Sequence, residues 1–324
     1  MRKPFLTVLI ILGITILGLA SQFQPDIEVA ELQAKYTNAA SKFLMVNGMR
    51  VHYRDEGAGP TLVLLHGTAS SLHTWDGWTK ELSANFRIVR MDLRGFGLTG
   101  PNAAHDYSMP QYVALLAALA DSLSLTNFHL AGNSLGGEIA WHFALAYPER
   151  VQRMILLDAA GYPRKNMPFT FKLARNPLTT AFTRWITPRR LVKQSVLDVY
   201  GDDSKVTEAL VQRYYDLTCR TGNRAAFIAR AHAFHEVEFE RIKQVKTPTL
   251  IQWGADDLWI PVEEARRFDA DFRNSELIVY KGVGHVPMEE IPERTAHDAK
   301  SFLEVQPRFD RGLSAAAFMP RGNK

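Results

Sequence analysis

With 324 residues, 46% of them hydrophobic and 22% charged, the chain has the balance of a water-soluble globular protein, which excludes wholesale disorder and a multi-span membrane protein. Its formal net charge of +4 owes much to basic residues at the two ends, in MRK and RFDRGLSAAAFMPRGNK, so nothing resembles a basic stripe and no nucleic-acid partner is expected. The single cysteine, Cys219, excludes an intrachain disulfide and a thiolate metal cluster.

At the start of the chain, MRKP precedes sixteen uncharged residues, FLTVLIILGITILGLA, and then the polar SQFQPD. This is the pattern of an export or anchoring signal. Sixteen residues fall slightly short of the roughly 20 that span a bilayer as a helix, while Gly18 and Ala20 supply small residues for cleavage before Ser21. A cleaved signal peptide and an uncleaved anchor (residues 1–24) both remain open. Either places the body on the membrane or beyond it, periplasmic or extracellular if the source is bacterial. A polar linker is expected over 25–41.

The main body is expected over 42–160 and 241–306, in two parts. KFLMVNGMRVHYRDEG reads as two strands around Asn47-Gly48, a strong short-range hairpin signal. Apolar runs of strand length follow: TLVLL (61–65), FRIVRMD (86–92), FHLAG (128–132), MILLD (154–158), TLIQW (249–253) and LIVY (277–280). Helical patterns such as MPQYVALLAALADSLSL and LGGEIAWHFALAYPE lie between most of them. Strands that alternate with helices and are apolar on both faces predict an α/β fold, a mostly parallel sheet flanked by helices. One interval breaks the alternation. Residues 161–240, rich in aromatics and arginine, are too long and too apolar for a loop and predict a helical cap inserted between two strands. Residues 307–324 form a basic tail.

Within LAGNSLGGEIA, Ser134 follows the strand FHLAG and opens a helix at Leu135. A G-x-S-x-G match means little alone, but strand, sharp turn and helix together push a serine hydroxyl out above a sheet. Gly132, Gly136 and Gly137 suit so crowded a turn. A serine nucleophile needs a base, and the base needs an acid to fix its tautomer. WGADDLWIP places Asp256 and Asp257 just past TLIQW, and YKGVGHVPMEE places His285 just past LIVY, both at strand C-termini where ligands of open α/β sheets bind.

LLHGTASSLHTW, MDLRGFGLTG, LAGNSLGG, WGADDLWIP and GVGHVPMEE, in this order over roughly residues 42–305, resemble the α/β-hydrolase family, here in a capped, esterase- or lipase-like form. The resemblance implies a catalytic triad of Ser134, Asp257 and His285. It selects Asp257 through the register G-x-x-D-x-x-x-P from Gly254 to Pro261, with Asp256 holding the loop. Some relatives carry the acid after an earlier strand, which keeps Asp158 as an alternative. The oxyanion hole falls by resemblance on the backbone N–H groups of Thr68 and Leu135. His66, Asp92, Arg94 and Trp75 read as loop scaffolding. The remaining histidines offer only HAFH (232–235), a pair without a third ligand, so no metal is expected. No phosphate or dinucleotide loop is present either, so no cofactor is expected.

These residues imply a carboxylic ester hydrolase working through an acyl-enzyme, with a small-molecule ester as substrate and the membrane as partner if the N-terminal segment is retained. Dehalogenase and epoxide hydrolase chemistry would place an aspartate at position 134. The alternative is a carbon–carbon bond hydrolase of ring-cleavage diketones, a subgroup similar in Asn133 and in its cap arginines, Arg184, Arg189 and Arg190. Val286 departs from the tryptophan which that subgroup carries after its histidine. Perhydrolysis uses the same triad, and a ligand-binding receptor on the same fold is a further reading.

Overall fold

A computed structural model describes residues 23–163, 167–233 and 238–304. Eight strands form one sheet: β1 (Ser41–Val46), β2 (Met49–Glu56), β3 (Thr61–Leu65), β4 (Arg87–Met91), β5 (Phe128–Asn133), β6 (Val151–Leu157), β7 (Thr249–Gly254) and β8 (Ser275–Tyr280). The order is β1-β2-β4-β3-β5-β6-β7-β8. Strands β3 to β8 run parallel, and β2 is antiparallel to both of its neighbours. The expected α/β architecture is thus present, with an antiparallel hairpin at one edge. Asn47 and Gly48 turn that hairpin with φ of 47° and 74°, the two left-handed positions of a type I′ turn.

The parallel strands explain their own lack of alternation. Leu62 and Leu64 point into one buried layer and Val63 and Leu65 into the other, so helices must cover both faces. Burying each such side chain is worth about 2 kcal/mol. The helices of the body are α1 (Val29–Tyr36), α2 (Asp76–Leu82), α3 (Met109–Ser122) and α4 (Leu135–Ala146). Five more lie between β6 and β7: α5 (Phe169–Arg175), α6 (Pro177–Thr183), α7 (Arg189–Leu197), α8 (Glu208–Thr218) and α9 (Asn223–His232). They occupy the interval in which the sequence broke its rhythm. The chain closes with α10 (Val262–Asp271), α11 (Pro287–Glu290) and α12 (Pro292–Glu304).

Residues 25–41 differ from the expected linker. Leu32 on α1 is buried with Leu98 and Leu217, and Lys35 and Tyr36 both bind the Asp216 carboxylate at 2.6 and 2.7 Å. Asp26 accepts from the Gly222 N–H at 3.1 Å and from the Arg224 guanidinium. One buried leucine and a carboxylate facing a buried arginine strap this segment to the cap helices. The expected signal or anchor (1–24) and tail (307–324) lie outside the described residues but for Phe23 and Gln24, as does His235 of the HAFH pair. Among the described residues no helix is long and apolar enough to cross a membrane.

Candidate active site

Ser134 stands between β5 and α4 with φ 53° and ψ −114°, a strained conformation for a residue with a side chain. Its surroundings hold it there. Its N–H donates to the Leu157 carbonyl at 3.1 Å, and its carbonyl accepts from Glu138 and Ala160 at 3.0 Å. The crowding expected of the turn is real: a Cβ on Gly136 would stand 2.2 Å from the Leu65 carbonyl oxygen, and one on Gly132 2.2 Å from that of Gly136. Tight backbone packing therefore drives the Ser134 side chain up into a cavity.

His285 and Asp257 meet as the register implied. The His285 Nδ1–H donates to Asp257 Oδ2 at 2.7 Å, and both residues are buried. Asp257 Oδ1 accepts from the Trp259 and Ile260 N–H groups at 2.7 and 2.9 Å, which orients the carboxylate. Asp256 is exposed, and its backbone N–H donates to the Val283 carbonyl at 3.0 Å. Ser134 and His285 line the same cavity of about 160 Å³. With Asp257 fixing Nδ1, Nε2 is the histidine nitrogen left to take a proton from a nucleophile.

Asp158 is not the partner of His285, yet it lies within the same cluster. One ligand atom each from Asp158, Asp257 and His285 falls within a 4.8 Å group, the one such trio among the described residues. Within this trio His285 Nδ1 and Asp257 Oδ2 already bind each other. Asp158 Oδ1 accepts from the Gly254 N–H at 2.9 Å, whereas Oδ2 has no partner. Complete burial, reinforced by the nearby Asp257 charge, pushes the Asp158 carboxyl well above the usual range.

Thr68 and Leu135 are the residues whose N–H groups were expected as oxyanion donors. Among the described residues neither N–H donates to a backbone carbonyl, and Thr68 lines the cavity. A Cβ on Gly67 would stand 3.1 Å from Ser134 Cβ, so this loop lies directly against the serine. His66 acts as scaffolding: Nε2 accepts from the Leu93 N–H at 2.9 Å while Nδ1 donates to the Gly67 carbonyl at 2.7 Å. Burial pushes its pKa down, which keeps the ring neutral. Asp92 accepts from His52, Leu72 and Leu98, each at 2.7 Å. Trp75 is fully buried, and Arg94 binds the Asp106 carbonyl at 2.9 Å.

Further residues shape the site: Asn133, which the sequence marked only as a subgroup similarity, and Glu290, Tyr214 and Arg224, which sequence reasoning passed over. Asn133 Nδ2 donates to the carbonyls of Leu157 and His285 at 3.1 and 2.9 Å, tying the serine strand to the histidine loop. Glu290 receives three backbone N–H groups, from Gly201, Asp202 and Gly284. Tyr214, in the cavity wall, binds Glu289 at 2.8 Å and reaches Ser70 at 3.3 Å. Arg184, Arg189 and Arg190 do not line the cavity, and Arg189 pairs with Glu208 on the surface. The cap arginine that does line it is Arg224: Nε and Nη2 face Asp26, while Nη1 is buried without a hydrogen-bond partner. HVPMEE contained the signal for Glu290, but nothing in the sequence marks which cap arginine turns inward.

The sheet order, the strand-to-helix serine and the histidine loop after β8 define a hydrolase, and the chain belongs to the alpha/beta hydrolase fold family, whose sequence profile matches residues 60–292. It is 31% identical to a 2-hydroxy-6-oxononadienedioate/2-hydroxy-6-oxononatrienedioate hydrolase of Burkholderia vietnamiensis, over 82% of this chain and 96% of that protein. It is 30% identical to a 2-hydroxy-6-oxo-2,4-heptadienoate hydrolase of Pseudomonas putida, over 75% and 89%. Among solved structures, a serine-to-alanine variant of a meta-cleavage product hydrolase from Pseudomonas fluorescens superposes with a TM-score of 0.72 at 26% identity, covering 81% of this chain and 97% of the other.

Proposed function

We propose that the chain is a serine hydrolase that cleaves a carbon–carbon bond beside a carbonyl in a carboxylate-bearing ring-cleavage diketone. Ser134 is the nucleophile, His285 the base and acid, Asp257 the orienting carboxylate, and the Thr68 and Leu135 N–H groups the oxyanion donors. The observation that carries this reading is Arg224 Nη1, a buried cationic donor without a protein partner in a wall that is otherwise mostly apolar. A substrate carboxylate would satisfy it, because a buried unpaired donor costs about 1–3 kcal/mol. The names of the two curated relatives, a dienedioate or trienedioate hydrolase and a dienoate hydrolase, describe such acids.

In this mechanism Ser134 Oγ adds to the carbonyl carbon as His285 takes its proton. The bond to the leaving carbon then breaks, its electron pair delocalises into the second carbonyl, and His285 returns the proton to that carbon. Water, activated by His285, releases the acid from Ser134. An ester follows the same steps with oxygen as the leaving atom. Ester cleavage is the second reading, favoured by the apolar remainder of the cavity and by Val286 beside the histidine.

The test is a direct comparison of kcat/KM on a 2-hydroxy-6-oxo-dienoate and on p-nitrophenyl esters from acetate to palmitate. The proposal expects the diketone to lead by at least about tenfold, and Arg224→Gln to raise KM for it far more than for the esters. Turnover confined to esters, with Arg224→Gln neutral, would install the ester reading instead. We further propose that residues 1–24 export or anchor the chain, supported by their sixteen-residue apolar run. Fractionation with and without those residues tests this, and an unchanged distribution would remove it.

A further inference from the structure

From Ala159 to Leu197 the chain carries eight Lys or Arg residues and no Asp or Glu, where its overall acidic content, 34 in 324, would place about four. The described part of this stretch comprises α5, α6, the turn after them and α7. Lys172, Arg184 and Arg190 are exposed and form no ion pair among the described residues, unlike Arg189 and Lys193, which share Glu208. The same stretch exposes large apolar side chains. Phe169, Leu178, Phe182 and Trp185, with Phe23, make up five of the eight exposed large hydrophobic residues among the described residues, Leu178 at 81% and Trp185 at 51% exposure.

Phe23 joins this patch to the start of the chain. Its ring stacks on Trp185 with centroids 6.1 Å apart, and the Gln24 N–H donates to the Trp185 carbonyl at 3.1 Å. The uncharged run Phe5–Ala20 therefore ends three residues before a contact with the patch. Phe171, Leu173, Thr183 and Ile186 of the same elements line the active-site cavity.

We propose that the outer face of α5, α6, the turn to Trp185 and the start of α7 docks on an anionic phospholipid bilayer, with Leu178, Phe182 and Trp185 entering the headgroup–acyl boundary and Lys172, Arg184 and Arg190 meeting lipid phosphates. Aromatic and leucine side chains beside unpaired cations, with every acid excluded, match an interfacial surface in both charge and polarity. Docking in this way would set the elements that wall the cavity against the lipid. It does not depend on which bond the site cleaves.

The test uses the full chain and Trp185 as reporter: of the other five tryptophans, Trp75, Trp78, Trp141 and Trp253 are fully buried and Trp259 is half-buried in the cavity wall, so Trp185→Phe isolates the signal of the patch. Vesicles of phosphatidylcholine with and without about a third phosphatidylglycerol, brominated in the acyl chains, are added to the parent and to Trp185→Phe. The expected result is quenching that Trp185→Phe removes, that partitions at least about tenfold more strongly to the anionic vesicles, and that falls with added salt. The combined variant Lys172→Glu/Arg184→Glu/Arg190→Glu, with an unchanged thermal midpoint, loses that preference. Equal quenching of the parent and Trp185→Phe while both sediment with vesicles would overturn the proposal, because residues 1–24 alone would then hold the chain. A lipid-independent dimer that the triple variant dissociates would overturn it too, assigning the patch to a second copy.

Discussion

At Ser134 the backbone is strained, its hydrogen bonds are satisfied, and Gly132 and Gly136, two residues to either side, lack Cβ atoms, a combination that the placement of the side chain explains. Ser134→Ala removes the nucleophile without disturbing that backbone. It is expected to lower kcat on any substrate by at least about a thousandfold at an unchanged melting temperature, as measured by initial rates and calorimetry. Asp158 poses a different question, because its Oδ2 and the Asp257 carboxylate are acceptors that cannot satisfy each other unless one carries a proton. Burial and the Asp257 charge raise the Asp158 pKa, so the folded state binds a proton that the unfolded state has released. The associated stability is complete below the ordinary carboxyl pKa and is lost as pH rises toward the raised folded value. Asp158→Asn supplies a permanent donor in the same shape. Its melting temperature is expected to fall less than that of the parent as pH rises above the ordinary carboxyl value near 4; an identical slope in the two proteins would show that Asp158 is not the titrating group.

The elements around the site depend on connections that cross the chain. Glu290, at the end of α11, receives N–H groups from the loop after α7 and from the histidine loop, and the His285 N–H itself donates to Val199 at 2.8 Å. Cap and catalytic loop are thereby one hydrogen-bonded unit. Glu290→Ala would leave three donors without their acceptor, at about 1–3 kcal/mol for each that stays buried. The expected outcome is a fall of several degrees in the melting temperature together with a loss of kcat, while Glu290→Gln retains part of both. A variant with full stability and full activity would sever the proposed link between this glutamate and the His285 loop.

For the molecule as a whole, acid should act through histidines kept neutral by burial. Burial, with Arg153 nearby, pushes His129 down to about 4, and burial likewise pushes His142 down to about 4. Between the ordinary value near 6.5 and about 4 the unfolded chain binds protons that the folded chain refuses, so stability rises with pH across that window and declines as pH falls through it. The melting temperature is expected to drop between pH 7.5 and pH 5, and His129→Gln should reduce the drop. An equal drop in that variant would point to other groups.

Much of this protein was legible in the sequence because its signals are local. Asn47-Gly48 dictates a turn by its own backbone preference, TLVLL declares a strand buried on both faces, and GNSLGG encodes its crowding in missing side chains. Ser134, Asp257 and His285 each follow a strand-length apolar run, so the sequence itself puts all three at strand ends. What remained depended on contacts between residues far apart in sequence, which no local pattern records. The strap of residues 25–41 looked like a linker because a single buried leucine and a carboxylate aimed at Arg224 leave no periodic trace. Arg224 faces the cavity while Arg189 faces Glu208, although both are cap arginines, and only the packing of α7, α8 and α9 separates them. Local chemistry determined the fold class and the candidate catalytic set; the tertiary structure alone decided which charges meet the cavity and which face outward, because burial belongs to the assembled chain and not to any segment of it.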